Sequence, residues 1–269
     1  MSSIVITGAS SGIGKATAKH FAEQGWNVAA TMRTPEKETE LTNIDNVSIY
    51  QLDVSDPKSI NSAAQQITGD LGKVDALLNN AGYGSYGILE ATPEEKIRRQ
   101  FDVNVIGLLL DTQAFLPNMR EHGSGVIVNV SSVGGKVAFP LGTLYHGTKW
   151  AVEGLSEALS FELATVGINV KIVEPGGVKT NFGTTSFDLN VEGSPEAYNP
   201  LVEKFVAGVG AVDIPSEASD IAKVIYTAVT DGTNQLRYIA GSDAEQLIGA
   251  RKQMADADFL GLIKQQLGL

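Results

Sequence analysis

The sequence predicts an α/β protein: a doubly wound sheet of about seven mostly parallel strands with helices on both faces, in a single domain over residues 1–269. Three observations lead there. Short apolar runs alternate with amphipathic helical stretches along the whole chain, as strands buried on both faces require. A glycine-rich turn, Gly8 to Gly14, joins the first run to the first helix. No Pro-, Ser- or Gly-rich linker divides the chain.

Ser3–Thr7 reads as a strand, and residues 15–24 as a helix with Ala16, Ala18, Phe21 and Ala22 on one face, ending at Gly25. Asn27–Met32 and Val47–Leu52 read as strands, Pro57–Asp70 as a helix and Asp75–Leu78 as a strand. One helical stretch is predicted over 93–119, with an apolar face of Phe101, Val105, Leu109 and Phe115. Val126–Val130 reads as a strand, Lys149–Thr165 as a helix, and Asn169–Val173 and Leu236–Ala240 as strands. The segment 180–215 breaks the rhythm. It is long and carries Phe182, Phe187, Val191, Tyr198 and Phe205, which favours a lid over an apolar ligand; a surface insertion packed for stability is the alternative. Residues 241–269 read as a helical extension beyond the last strand.

Composition narrows the function. The chain is 43% hydrophobic and carries a net charge of −11, with a pI near 4.7. That sign disfavours a nucleic-acid partner, whose phosphates need Lys and Arg, and disfavours an anionic membrane surface. With no cysteine, thiolate chemistry, disulfides and Cys-based metal sites are excluded. His20, His122 and His146 lack metal-ligand spacing. No apolar run reaches the length of a membrane span, and no leader-like segment precedes Ser3. The expectation is a soluble cytoplasmic protein that binds no metal.

Strand, Thr7-Gly8-Ala9-Ser10-Ser11-Gly12-Ile13-Gly14, then helix is the context of a dinucleotide-binding turn. Glycine permits the tight turn and the approach of backbone to a pyrophosphate, and the helix N-terminus offers free N–H groups. A Walker-type loop fits poorly, because Lys15 comes directly after Gly14 and Ala16 is next. An acid at the end of the second strand would bind the adenosine ribose hydroxyls and repel a 2′-phosphate. Here that position is Met32, and the next residue is Arg33, whose planar fork suits phosphate. NADP(H) is therefore favoured over NAD(H); a solvated loop charge is the alternative for Arg33.

Tyr145 and Lys149 are four apart and share a helix face. A phenol titrates near pH 10, and a neighbouring ammonium brings it toward neutrality, where proton transfer is most efficient. Ser132 lies just past the Val126–Val130 strand, at the carboxyl end of the sheet where open α/β folds bind ligands. His146, on the same helix, points about 100° away from Tyr145 and is expected not to touch the reacting groups.

Taken together, Thr7-Gly8-x-x-x-Gly12-x-Gly14, Asp53-Val54, Asn79-Asn80-Ala81-Gly82, Asn104, Ser132, Tyr145-x-x-x-Lys149 and Pro175-Gly176 with Thr180 beyond them resemble the short-chain dehydrogenase/reductase family over nearly the whole chain. The tail and Arg237-Tyr238-Ile239 are similar to its 17β-hydroxysteroid-dehydrogenase-like and carbonyl reductase branch. The resemblance implies a Rossmann-type sheet and hydride transfer between NADP(H) and an apolar ketone, aldehyde or secondary alcohol. It implies that Tyr145 exchanges the proton, Ser132 orients the substrate oxygen, Lys149 holds the nicotinamide ribose and lowers the Tyr145 pKa, and Asn104 keeps a relay water. It also implies a cofactor surface of Gly8, Ser10, Ser11, Gly12, Ile13, Gly14, Arg33, Asp53, Val54, Asn80, Ala81, Gly82, Tyr145, Lys149, Pro175, Gly176, Val178 and Thr180. Read singly, Asp53 also suits a turn cap, Asn79 and Asn80 a strand end, and Thr180 an N-cap. The expected substrate wall is Tyr83, Ser85, Tyr86, Gly134, Phe139 and Phe182, mostly apolar and without an arginine to grip an anion. A homo-oligomer is expected, as a dimer through helices near 105–118 and 150–165 or as a tetramer. The rival readings are a regulator that senses NADP(H) without turnover and a structural protein stabilised by the cofactor.

Overall fold

The computed structural model describes residues 1–180, 182, 186–211 and 214–269, with backbone alone for 209–211. The strands are β1 Ser3–Ile6, β2 Asn27–Met32, β3 Val47–Gln51, β4 Ala76–Asn79, β5 Gly84–Gly87, β6 Gly125–Val130, β7 Ile168–Pro175, β8 Val178–Lys179, β9 Phe187–Asn190, β10 Ser216–Glu217 and β11 Arg237–Ala240. The helices are α1 Gly12–Glu23, α2 Pro57–Leu71, α3 Glu94–Phe101, α4 Leu108–Glu121, α5 Thr143–Ala164, α6 Asn199–Ala211, α7 Ala218–Thr230, α8 Ser242–Gln253 and α9 Asp256–Gln266.

Seven strands form the central sheet in the order β11-β7-β6-β4-β1-β2-β3, and every pairing is parallel. The chain lays β1, β2 and β3 outward, returns to place β4 beside β1, and then builds the other half. The winding direction therefore reverses between β1 and β4, which opens a crevice at their carboxyl ends. Alternating side chains feed two cores. Ile4 and Ile6 point to the side covered by α1 and α7, with Phe21, Ile221 and Ile225. Val5 and Leu77 point to the side of α2, α4 and α5, with Ile60, Ile67, Phe115 and Leu163.

The structure moves several expected boundaries. The motif's own residues from Gly12 onward form the first turn of α1, ahead of the residue-15 start that the apolar pattern predicts. Helix α5 begins at Thr143, so Tyr145 sits in its first turn. The helix predicted over 93–119 is interrupted by a wide π turn, Asp102–Gly107, which adds a residue per turn and rotates α4 relative to α3. The expected apolar face is thereby split: Phe115 is fully buried, whereas Phe101 is 39% exposed and Leu109 40%. Two short pairs, β5 with β9 and β8 with β10, have no counterpart among the expected strands. In the tail, Phe259 and Ile263 pack on Val137, just beyond β6. Among the described residues no helix is long and apolar enough to cross a membrane.

Phe115→Ala is expected to cost about 3–5 kcal/mol and Phe101→Ala less than about 1 kcal/mol, read from urea unfolding. Equal costs would mean that the two phenylalanines share one buried face after all.

Candidate active site

The β1 and β4 ends are tied together at the crevice. Thr7 Oγ1 accepts the backbone N–H groups of Asn80 and Ala81 at 3.0 and 3.1 Å. Asn80 Nδ2 donates back to the carbonyls of Thr7 and Gly8 at 2.8 and 3.2 Å. Gly8 turns at φ +67, and a Cβ on Gly14 would overlap the Gly8 carbonyl oxygen and come within 2.6 Å of Asn80 Nδ2. Only glycine lets this turn pack so tightly. Ser11 gives α1 no side-chain cap, so its first-turn N–H groups remain available to an anion.

This turn opens into a cleft of about 300 Å³. Residues 10–13, Arg33, Asp53, Val54, Asn80 to Tyr83, Ser132, Tyr145, Lys149, Pro175, Gly176, Val178, Thr180 and Phe182 all line it, so the structure brings most of the expected residues to one surface. Met32 is 3% exposed. Arg33, next to it, is exposed at the rim, and among the described residues its guanidinium has no ion-pair partner. Several of these residues also cap locally. Asp53 Oδ1 accepts Ser55 N–H at 2.9 Å and Ser55 Oγ at 2.7 Å, and Thr180 Oγ1 accepts Phe182 N–H at 3.2 Å.

At the inner end, the Ser132 hydroxyl and the Tyr145 phenol both line the cleft. Burial pushes the phenol above its usual pKa, and the neighbouring Ser132 hydroxyl opposes that shift. Lys149 Nζ donates to the Val130 carbonyl at 2.9 Å and lies 5.8 Å from the Tyr145 ring centre. Burial pulls its ammonium down to about 8, opposed by the Glu153 carboxylate. The expectation that Lys149 lowers the Tyr145 pKa is thus corrected for the protein alone, because the ammonium is bonded to a backbone carbonyl and not to the phenol. Behind Lys149, Glu153 Oε2 receives Lys136 at 2.8 Å and Arg237 at 2.9 Å. Burial, with the nearby Glu153 charge, pushes Glu174 up to about 7.

The expected substrate wall is only partly assembled. Tyr83 and Phe182 line the cleft. Tyr86 lies 5.4 Å from the Tyr145 ring, with Phe187 at 5.1 Å and Phe205 at 5.9 Å on it. Ser85 is 1% exposed and holds Asn190, away from the cleft. Gly134 is buried, with its N–H on Ser132 Oγ, and Phe139 packs in the tail cluster. Asn104 is buried in the π turn, where its amide is spent on both backbone groups of Tyr83 and on Thr148. Contrary to expectation, an arginine does border the cleft: Arg99 lies 4.4 Å over the Tyr83 ring. Sequence reasoning also missed Asp243 of α8, which accepts Gly177 N–H at 2.6 Å and braces the Pro175–Gly176 turn from the tail.

The short chain dehydrogenase family profile matches residues 2–191. The chain belongs to this family. It is 40% identical over 245 residues to an uncharacterized oxidoreductase of Schizosaccharomyces pombe, covering 88% of this chain and all of the relative. It is 38% identical over 204 residues to human 17-beta-hydroxysteroid dehydrogenase type 1, covering 72% of this chain and 60% of that protein. A short-chain dehydrogenase from Streptomyces avermitilis superimposes with a TM-score of 0.85 at 34% identity, over 100% of this chain and 99% of that one. Family structures hold either cofactor. ElxO carries NADP at 28% identity and a TM-score of 0.74, over 94% of this chain and 99% of its own. The 3-ketoacyl-(acyl-carrier-protein) reductase of Brucella melitensis carries NADH at 27% identity and a TM-score of 0.77, over 90% and 98%.

Burying Lys149 has a measurable consequence. Its folded pKa lies below its unfolded one, so between about pH 8 and 10 the unfolded chain binds more protons and stability rises with pH. Below pH 8 the fold bears the full cost of the buried ammonium. Without cofactor, Lys149→Met is expected to melt above the parent at pH 7, with the gap narrowing toward pH 10. A gap independent of pH would contradict the shift.

Proposed function

We propose that the chain is an NADP(H)-dependent carbonyl reductase or alcohol dehydrogenase acting on apolar ketones, aldehydes or secondary alcohols. One observation carries this reading: the Ser132 and Tyr145 hydroxyls share a cleft with Lys149 and the glycine-rich turn. The residues present fit a nicotinamide dinucleotide. The glycine cradle, which a Cβ would fill, and the uncapped α1 N-terminus suit its pyrophosphate. Arg33, exposed at the rim beside a non-acidic Met32 and without an ion-pair partner among the described residues, suits a 2′-phosphate.

When bound, the nicotinamide supplies or takes the hydride. The chain handles the proton. In reduction, the Tyr145 phenol gives its proton to the substrate oxygen while the Ser132 hydroxyl donates a hydrogen bond to that oxygen, so charge never builds up on it. In oxidation the same two groups act in reverse. With the cofactor bound, the Lys149 ammonium would hold the nicotinamide ribose hydroxyls and, from there, favour tyrosinate. The Tyr86, Phe187 and Phe205 rings beside Tyr145 support an apolar substrate. We read the single domain as carrying a substrate lid over 180–215, of which residues 181, 183–185, 212 and 213 lie outside the described residues, and a helical extension over 241–269. Exposed Ile106, Leu109, Trp150 and Phe161 support the expected dimer.

Tyr145→Phe is expected to lower NADPH oxidation with a reactive apolar ketone by about 10²–10⁴-fold, with NADPH affinity near the parent's by fluorescence titration. Retained turnover would remove Tyr145 from this role. Arg33→Asp is expected to weaken NADPH about 10- to 100-fold, the worth of a charged hydrogen-bonded contact, and to leave NADH nearly unchanged. A parent that already prefers NADH would overturn the cofactor assignment.

A further inference from the structure

His146 comes directly after Tyr145 on α5 but faces the other way, into the protein, where it is 4% exposed. Its Nδ1 is 3.0 Å from the Gly134 carbonyl oxygen, and its Nε2 accepts the Phe139 N–H at 3.0 Å. A carbonyl can only accept and a backbone amide can only donate. The ring is therefore neutral, with its one hydrogen on Nδ1. The socket is shaped to the ring: a Cβ on Gly142 would overlap it, and a Cβ on Gly134 would come within 2.8 Å of Nδ1.

Both partners belong to the loop that starts at Ser132. Within it, Gly134 N–H bonds Ser132 Oγ at 3.0 Å. The Gly134 residue is thus held on one side by the serine and on the other by the imidazole. The chain of bonds runs from the Ser132 hydroxyl, through Gly134, to the helix that carries Tyr145.

We propose that His146 is a positioning residue: as a neutral imidazole of one tautomer it ties the Gly134–Phe139 loop to α5, holds the Ser132 hydroxyl against the Tyr145 phenol, and releases that loop when protonated. This rests on the roles proposed above for Ser132 and Tyr145. Protonation would put a hydrogen on Nε2 facing the Phe139 N–H, donor against donor. The titratable groups against the ring are Tyr86 of β5 and Tyr145 of its own helix, both uncharged as phenols, while Phe139 adds an apolar face. Among the described residues no carboxylate is there to stabilise an imidazolium, and burial lowers the His146 pKa accordingly. Because the folded pKa is depressed, the clamp is complete above the ordinary histidine pKa and is lost as pH falls through the folded value.

The test uses the full chain and three variants. His146→Asn keeps a donor at the Nδ1 position and cannot titrate. His146→Gln places its amide at the Nε2 position and lacks the donor to Gly134. His146→Leu lacks both. Ring ¹⁵N shifts of the parent should show one histidine as a neutral Nδ1–H tautomer down to below pH 6; an Nε2–H tautomer or an imidazolium there at neutral pH overturns the proposal without any substrate. With acetophenone and NADPH, His146→Asn should keep kcat within about threefold and lose the acid limb of the profile. His146→Gln and His146→Leu should lose roughly tenfold or more in kcat with NADPH affinity unchanged. Parent-like kcat in the leucine variant, or an unshifted acid limb in the asparagine variant, overturns it. Ser132→Ala and Tyr145→Phe run alongside. Full activity in those two would sink the proposed catalytic roles, whereas failure of the His146 arms alone sinks only the clamp.

Discussion

The clamp between Thr7 and Asn80 is the contact on which the site depends. Parallel strands diverge at a point where the winding reverses, and the β1–β4 ladder ends at Ile6 and Leu78, with the Thr7 N–H on the Leu78 carbonyl at 3.0 Å as its last bond. Thr7 and Asn80 bridge that gap with bonds from side chain to backbone in both directions. The bridge sets the turn at Gly8, the turn sets the start of α1, and Gly14 must then lie against the Gly8 carbonyl. A polar contact at this point does what hydrophobic packing could not, because it fixes backbone atoms and leaves the crevice open.

Electrostatics at the inner end work against stability. Lys149, Glu153 and Glu174 are each nearly inaccessible to water, and ions in such surroundings are costly unless paired. Lys136 and Arg237 offset the two carboxylates, and Arg237 reaches out to Glu157 at the surface. Among the described residues, Lys149 has the Val130 carbonyl, the Tyr145 ring at 5.8 Å and the more distant Glu153 charge. An ammonium with so little compensation remains available to a ligand, and its cost is borne by the cores on the two faces of the sheet.

Much of this was legible in the sequence, for identifiable reasons. The strands of the central sheet were readable because burial on both faces demands unbroken apolar runs, as in Val126 to Val130. The motif residues reached one cleft because strand ends and helix starts lie at the same edge in any doubly wound sheet. The π turn escaped notice, since one extra residue per turn leaves no mark in the composition of Asp102–Gly107 while shifting Phe101 and Leu109 off the core face. The pairing of β5 with β9 joins segments far apart in sequence through Gly84–Gly87, too short and glycine-rich to announce a strand. Arg99 was overlooked because a charge at the end of α3 usually faces solvent. Only the three-dimensional placement of Tyr83 shows it bordering the cleft.

The roof over Tyr145 is built from two kinds of contact that differ in how readily they open. Its centre is apolar, with Tyr86 between the Tyr145 phenol and the Phe187 and Phe205 rings. Its edge is polar: Asp188 takes both the Tyr83 hydroxyl and the Lys96 ammonium, and Asn190 donates to Ser85 Oγ and to the Tyr86 carbonyl. Of these, the Lys96–Asp188 pair is partly exposed, where water can replace it at little cost, whereas Tyr83 and Ser85 are buried. Burial of the rings, by contrast, is worth energy in proportion to the area they keep from water. The partly exposed Lys96–Asp188 pair can therefore exchange with water, while the centre loses buried area only if its rings part.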